Sequence, residues 1–220
     1  MIRERHARLL ARLRDVAAGH GHDPDRLRIV GITKTHPLGV VGAAVDAGLT
    51  LLGESRVQEA EPKIGEYPDV EWHLVGRLQS NKARRAARAF AVIHSVDSID
   101  LLQRLDQLAA EEGRPLRVLL QVNVSGETAK TGFEPAELER IDPPRAASLS
   151  GLMTIAPMGA SPDDARAIFR RLRELRDRLQ DRIGRALPEL SMGMSADAEA
   201  AAAEGATIVR IGTALFGPRG

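Results

Sequence analysis

Residues 28–37 read RIVGITKTHP. Ile29, Val30, Gly31 and Ile32 form a continuous apolar run, the kind that a parallel sheet buries on both faces. The run then meets Lys34, where the strand should reach its mouth, and a helical pattern follows over 38–48. A strand, a short polar junction and a helix make one βα unit. How often that unit recurs decides the fold.

It recurs along the whole chain. Counting the first run, at 27–33, apolar runs fall at 50–52, 71–75, 91–96, 116–124, 149–155, 189–192 and 206–211. Each but the last leads into a helical pattern, at 38–48, 55–66, 79–89, 98–112, 134–141, 162–186 and 196–204. The clearest is 162–186, where Ile168, Leu172, Leu175, Leu179 and Ile183 form one apolar stripe. Gly48, Gly113 and Gly205 stand where helices should end, and Ser98 and Ser161 where they should begin. Ahead of the first strand, Ile2, His6, Leu9, Leu10, Leu13 and Val16 share a helical face that Gly19 and Gly21 should close. Eight strands and eight helices result. Repeated βα units allow a doubly wound sheet or a closed barrel, and the count of eight favours the barrel. The expectation is an α/β chain, a single (β/α)8 TIM barrel with an additional N-terminal helix, forming one domain over 1–220. The stretch Asp142-Pro143-Pro144-Arg145 is short enough to be one loop.

Composition narrows the function. The 220 residues are 43% hydrophobic and 28% charged, with a net charge near +1, so no global field argues for nucleic acid or membrane. Cysteine is absent, which excludes disulfides, thiolate nucleophiles and cysteine metal sites, and no metal site is expected. That usage fits a reducing cytoplasm, the expected location. The N-terminal MIRERHARLLARLRDV alternates charge with leucine and does not read as a signal peptide.

Lysine is rare. Only Lys34, Lys63, Lys82 and Lys130 occur among 31 basic residues, and the rest are arginine. Arginine would serve for a plain positive charge, but it cannot supply a deprotonatable amine.

In a (β/α)8 barrel the residues after each strand line the active face, and phosphate often binds after strands seven and eight. Here those loops are SMGMSAD, 191–197, and RIGTALFG, 210–217. Their glycines let backbone N–H groups approach an anion, and Ser195 and Thr213 add hydroxyls. The same residues could simply form tight turns and a helix cap. A lysine amine facing a phosphate anchor is the minimum equipment for holding pyridoxal 5′-phosphate (PLP), whose aldehyde condenses with an amine. Arg210, inside the last strand, needs a partner if buried. A ligand atom is one candidate, and a barrel carboxylate such as Glu54 is another.

These residues carry a resemblance. ITKTHP, LGESRVQEAEPK, WHLVGRLQSNK, HSVDS, QVNVSGETAKTGF, LSGLMTI and LSMGMSADAEAAAAEGATIVRIGTALFG resemble the YggS/PROSC family of PLP homeostasis proteins over nearly the whole chain. The resemblance implies a barrel like the N-terminal domain of bacterial alanine racemase, with PLP held as a Schiff base on Lys34. It implies phosphate contacts from Ser195, Gly212 and Thr213 with backbone help from Met194, and a pyridine-nitrogen contact from Arg210. Asn123, His73 and Met153 are expected to line the same mouth, and Lys130 to help PLP transfer. His36 stands where many members have a lysine, Ser55 where many have an asparagine, and the sequence ends at FGPRG without a basic extension found in some.

The function so implied is intracellular PLP homeostasis, as a carrier or buffer without robust catalysis. The partners are PLP and the apo-enzymes that accept it, with no nucleic acid and no membrane, and a monomer is expected. The alternative is a PLP-dependent amino-acid racemase. That chemistry needs a second acid/base group, and the only tyrosine, Tyr67, precedes the third strand, at the wrong end of a barrel. A sugar-phosphate enzyme on the same fold is a third reading, and it leaves Lys34 without a task.

Overall fold

A computed structural model describes residues 1–127 and 131–217. Eight parallel strands close into a barrel in chain order. They are β1 (Arg28–Ile32), β2 (Leu51–Glu54), β3 (Glu71–Leu74), β4 (Val92–Val96), β5 (Arg117–Gln121), β6 (Ser148–Met153), β7 (Glu189–Ser191) and β8 (Ile208–Ile211). The closure is β1 on β8, with Arg28 opposite Ile208 and Gly31 opposite Ile211. Outside lie α1 (Ile2–Gly19), α2 (Leu38–Asp46), α3 (Val57–Glu66), α4 (Ala83–Ala89), α5 (Ile99–Glu112), α6 (Pro162–Ile183), α7 (Ala198–Ala203) and α8 (Thr213–Phe216).

Side chains alternate across the strands, as the pleat requires. Leu52, Trp72, Leu74, Ile93 and Leu120 face the helices and form a continuous shell with Phe90, Leu105, Phe169 and Leu172. Each fully buried Leu or Phe there stabilises by about 2 kcal/mol. Inside the barrel the apolar filling is thin. Val30, Ile32 and Ile208 form one small cluster, and Val92, Leu119 and Met153 another. Polar groups fill the rest of the lumen.

The expected caps are present. The Ser98 and Ser161 side chains accept from Leu101 N–H and Asp164 N–H, and Gly113 ends α5 in the left-handed region at φ +60°. Three expectations need correction. The stretch 134–141 is a 3₁₀ turn, Pro135–Arg140, not an α-helix. Its six residues are too few to settle into a longer helix before Pro143 and Pro144 bar continuation. The fifth strand ends at Gln121, because Val122 turns to bridge Phe133 of its own loop. The last strand does lead into a helix, the four-residue α8. The N-terminal helix packs on α7 and α8, and so buttresses the outside of the β8 loop.

Candidate functional site

Lys34 stands on a turn at the mouth of β1. Thr33 N–H bonds the Gly53 carbonyl (3.0 Å), and His36 N–H closes on the Thr33 carbonyl (3.1 Å). Lys34 and Thr35 are the central pair, and Thr35 has φ +64°. A turn of this kind asks its third residue for positive φ, which glycine or asparagine supplies without strain. A β-branched threonine there is strained. The His36 ring lies edge-on to Phe216 of α8, with centroids 5.6 Å apart, so this turn sits against the β8 loop.

The loops after β7 and β8 run side by side. Gly193 has φ +90°, and an added Cβ would stand 2.5 Å from Ala201 Cβ, so the first loop hugs α7. Met194 N–H donates to Asp197 Oδ1 (2.6 Å) and Asp197 N–H to the Met194 carbonyl (3.1 Å). Inside that turn the N–H groups of Ser195 and Ala196 have no acceptor among the described residues. Thr213 and Ala214 N–H are likewise open at the start of α8, while Leu215 and Phe216 N–H bond the Gly212 carbonyl. Four open N–H groups and the exposed hydroxyls of Ser195 and Thr213 make a cradle for an anion. Next to Ser195, the N–H of Met194 is spent on Asp197 Oδ1, whereas that of Ala196 is open. Ala214 also enters unanticipated. A backbone donor carries no side-chain signature.

Below the mouth runs a chain of buried polar groups. Arg210 donates from Nη1 to Ser191 Oγ (2.7 Å) and from Nη2 to the Thr154 carbonyl (2.9 Å). Ser191 Oγ meets His94 Nδ1 at 2.8 Å, His94 Nε2 meets His73 Nδ1 at 2.8 Å, and His73 Nε2 meets Glu71 Oε1 at 2.9 Å. Arg117 holds the other Glu71 oxygen at 2.7 Å. One proton pattern satisfies every atom: Arg210 donates to Ser191, Ser191 to His94, His94 to His73, and His73 to the Glu71 carboxylate. Both imidazoles are then neutral. Burial pushes the pKa of each below its usual value, His94 the further, with His73 and Arg210 adding to the push. Glu71 is held down at about 2, chiefly by the His73 bond with Arg117 assisting, against the opposing effect of burial. Burial also lowers Arg210, to about 10, so it stays charged at neutral pH.

The sequence-expected residues therefore separate. Lys34, Ser195, Gly212 and Thr213 gather where β1, β7 and β8 open, with Arg210 beneath them. His73 spends both ring nitrogens within the lumen and lies under the mouth rather than lining it. Met153 is fully buried against Val92 and Leu119. Asn123 turns into its own loop, donating to the Glu127 carbonyl and to Glu134 Oε1. Lys130 lies outside the described residues. The Arg210–Glu54 ion pair does not form: Glu54 points outward from β2 and is taken by Lys63 of α3 at 2.7 Å. A cavity of about 740 Å³ opens on the same face over the β2, β3 and β4 loops, lined by Ser55, Arg77, Lys82 and Asp97. It is a neighbour of the Lys34 sector and shares no lining residue with it. Among the described residues no helix is long and apolar enough to cross a membrane.

Comparison with known proteins agrees with this fold. The family described as alanine racemase, N-terminal domain, matches residues 7–220. A pyridoxal phosphate homeostasis protein of Aquifex aeolicus is 43% identical, covering 98% of this chain and 97% of its own. The chain belongs to the pyridoxal phosphate homeostasis protein family. Its counterpart in Pseudomonas aeruginosa is 44% identical over 99% of this chain and 96% of its own. Among solved structures, PipY of Synechococcus elongatus PCC7942 with PLP bound is 39% identical, with a TM-score of 0.85 over 98% of this chain and 100% of that one. Alanine racemase of Clostridium difficile 630 shares the fold alone, at 15% identity and a TM-score of 0.71, and this chain spans 58% of it.

Proposed function

We propose that this chain binds PLP, holds it covalently on Lys34 and serves PLP homeostasis in the cytoplasm as a carrier. The observation that carries the reading is the pairing of one amine, on a strained turn, with an anion cradle of four open N–H groups in the loops after β7 and β8. The cradle suits the ester phosphate, with Ser195, Gly212 and Thr213 around it and the N–H groups of Ala196 and Ala214 completing it. Arg210 suits the pyridine nitrogen, since its guanidinium spends only two donors on Ser191 and Thr154. Condensation joins the Lys34 nitrogen to the aldehyde carbon and releases one water. Relatives that are named for PLP homeostasis, and a PLP-bound structure of one, support the cofactor.

The racemase reading needs a second proton carrier across from Lys34. Tyr67 ends α3 ahead of β3, at the far end of the barrel, and its carbonyl holds Trp72 Nε1. His73 is sealed in the lumen. Both facts favour a carrier over an enzyme, with PLP-accepting apo-enzymes as its partners and the chain itself a monomer.

The test is an absorbance spectrum with PLP before and after borohydride, followed by peptide mapping. The expected result is a visible-edge band that reduction fixes onto the Lys34 peptide, lost in Lys34→Ala with the fold intact. A band of full occupancy in that variant, or label spread over Lys82 and Lys130, would overturn the assignment. Turnover of amino-acid enantiomers by the loaded protein would overturn the carrier reading alone.

A further inference from the structure

Lys63 is a second lysine for which the PLP reading has no use. It is one of four in an arginine-rich chain, and it is only 8% exposed. It lies on the inward face of α3 with Val57 and Ala60. Its ammonium reaches the Thr33 carbonyl at 2.8 Å and Glu54 Oε1 at 2.7 Å. Thr33 Oγ1 donates to that same Glu54 oxygen at 2.7 Å. Thr33 and Glu54 are fully enclosed, and Glu54 Oε2 has no hydrogen-bond partner among the described residues.

A buried ion pair gives little net stability over an apolar pair of the same volume, because desolvation offsets the attraction. Stability alone is therefore a poor account of this cluster. Its position is more informative. The carbonyl that Lys63 holds belongs to the residue immediately before Lys34, and it also accepts from His36 N–H, the bond that closes the turn. That turn keeps Thr35 at φ +64°, the one non-glycine residue with positive φ among those described. Such a conformation persists only where its surroundings over-determine it. Lysine suits the place better than arginine. A compact ammonium with three donors fits between a carbonyl and a carboxylate, where a planar fork needs more room.

We propose that Lys63, charge-balanced by Glu54, is a positioning residue for Lys34: it pins the Thr33 carbonyl and so holds the strained turn that presents the Lys34 amine to an aldehyde. This inference rests on the PLP reading above.

The experiment replaces the pair as a unit. Lys63→Met with Glu54→Gln removes both charges at nearly constant volume, and thermal melting checks that the variant folds. PLP attachment is followed by absorbance and by borohydride mapping. Attachment to Lys34 should slow on the order of tenfold to a hundredfold, the scale of a misplaced reacting group. Adding Thr35→Gly, which relieves the strained φ, should restore part of the rate. In a Lys34→Ala background the same pair replacement should leave non-covalent PLP affinity within about twofold, because a group acting through Lys34 has nothing left to position. If the double variant does not fold, Lys63→Arg keeps the charge and loses the fit, and the same slowing is expected of it. A normal attachment rate, or an equal loss of affinity without Lys34, overturns the inference. Absence of label on Lys34 in the unsubstituted protein overturns the PLP reading itself, which is a different result.

Discussion

Acid should destabilise this barrel above pH 5, and the cause should be the two hydrogen-bonded imidazoles in its lumen. His73 and His94 are 1% and 0% exposed, and each uses both ring nitrogens in neutral form. Burial holds both below the ordinary histidine value of 6.5. In the unfolded chain they regain that value. Below pH 6.5 the unfolded state therefore binds protons that the folded state refuses, and stability falls as pH falls. Each group contributes about 1.4 kcal/mol per pH unit while only the unfolded form is charged. For a histidine that stays neutral throughout in the folded state, the interval from pH 6.5 to pH 5 amounts to about 2 kcal/mol, an upper bound for each of the two. The contribution of His73 is smaller, because Glu71 partly counteracts its burial. About 2 kcal/mol from one such group is already a large share of an ordinary 5–15 kcal/mol stability. Glu71 adds nothing in this window. Its depressed pKa gives stability that is complete above 4.5 and lost only as pH falls toward 2.

The assay is urea denaturation at pH 7, 6 and 5. With a slope of about 2 kcal/mol per M, each 2 kcal/mol of stability lost to acid should lower the midpoint by about 1 M across the series. His94→Gln, whose amide can both donate and accept, should remove more than half of that pH dependence. A midpoint that stays level from pH 7 to pH 5 in the unsubstituted protein would refute the neutral-pair assignment and the proton pattern built on it.

Two further outcomes test the frame around the site. Gly151→Ala places a Cβ 1.9 Å from the Glu189 carbonyl and must part β6 from β7, which should cost about 3 kcal/mol and lower the melting temperature by roughly 6–12 °C. Glu204, 2% exposed at the end of α7, holds Arg166, Arg170 and Arg173 of α6. Glu204→Gln should cost about 1–2 kcal/mol in low salt, and less as salt screens the partly exposed arginines.

The barrel was legible because burial on both faces writes each strand as an unbroken apolar run, and eight runs admit few closures. Lys34 was legible for the same reason: it ends a run. The segments that misled were short. Nothing in PAELER distinguishes a 3₁₀ turn from an α-helix, and TALF is too brief to show a period. Lys63 was harder, since VQEAEPKIGE is mostly polar and a lysine there reads as solvated. The signal that could have found it is spacing: Val57, Ala60 and Lys63 recur every three residues on the buried face. His94 was hidden inside the run AVIHSV, where a lone histidine cannot be matched to a partner from another strand. The His73–His94 contact is a product of closure, and sequence separation gives no hint of it.

Arg210 joins these layers. Its guanidinium remains cationic at neutral pH even with its pKa lowered to about 10, and its described acceptors, Ser191 Oγ and the Thr154 carbonyl, are neutral. Ser191 is itself fixed by His94, and His94 by His73, so the arginine's orientation is set by a chain that ends at Glu71, in the first residue of β3. A fixed, charged donor at a pyridine nitrogen can offer hydrogen bonds but not readily a proton, since its pKa lies about three units above neutrality. On the proposed reading the ring nitrogen therefore stays unprotonated, and a PLP ring in that state is a weak electron sink. On the same reading Lys34, on its strained turn, captures the aldehyde. Arg210, held by the lumen chain, withholds the protonation on which carbanion chemistry draws. On the proposed reading the two make a site that takes up the cofactor and keeps it unreacted until it is passed on.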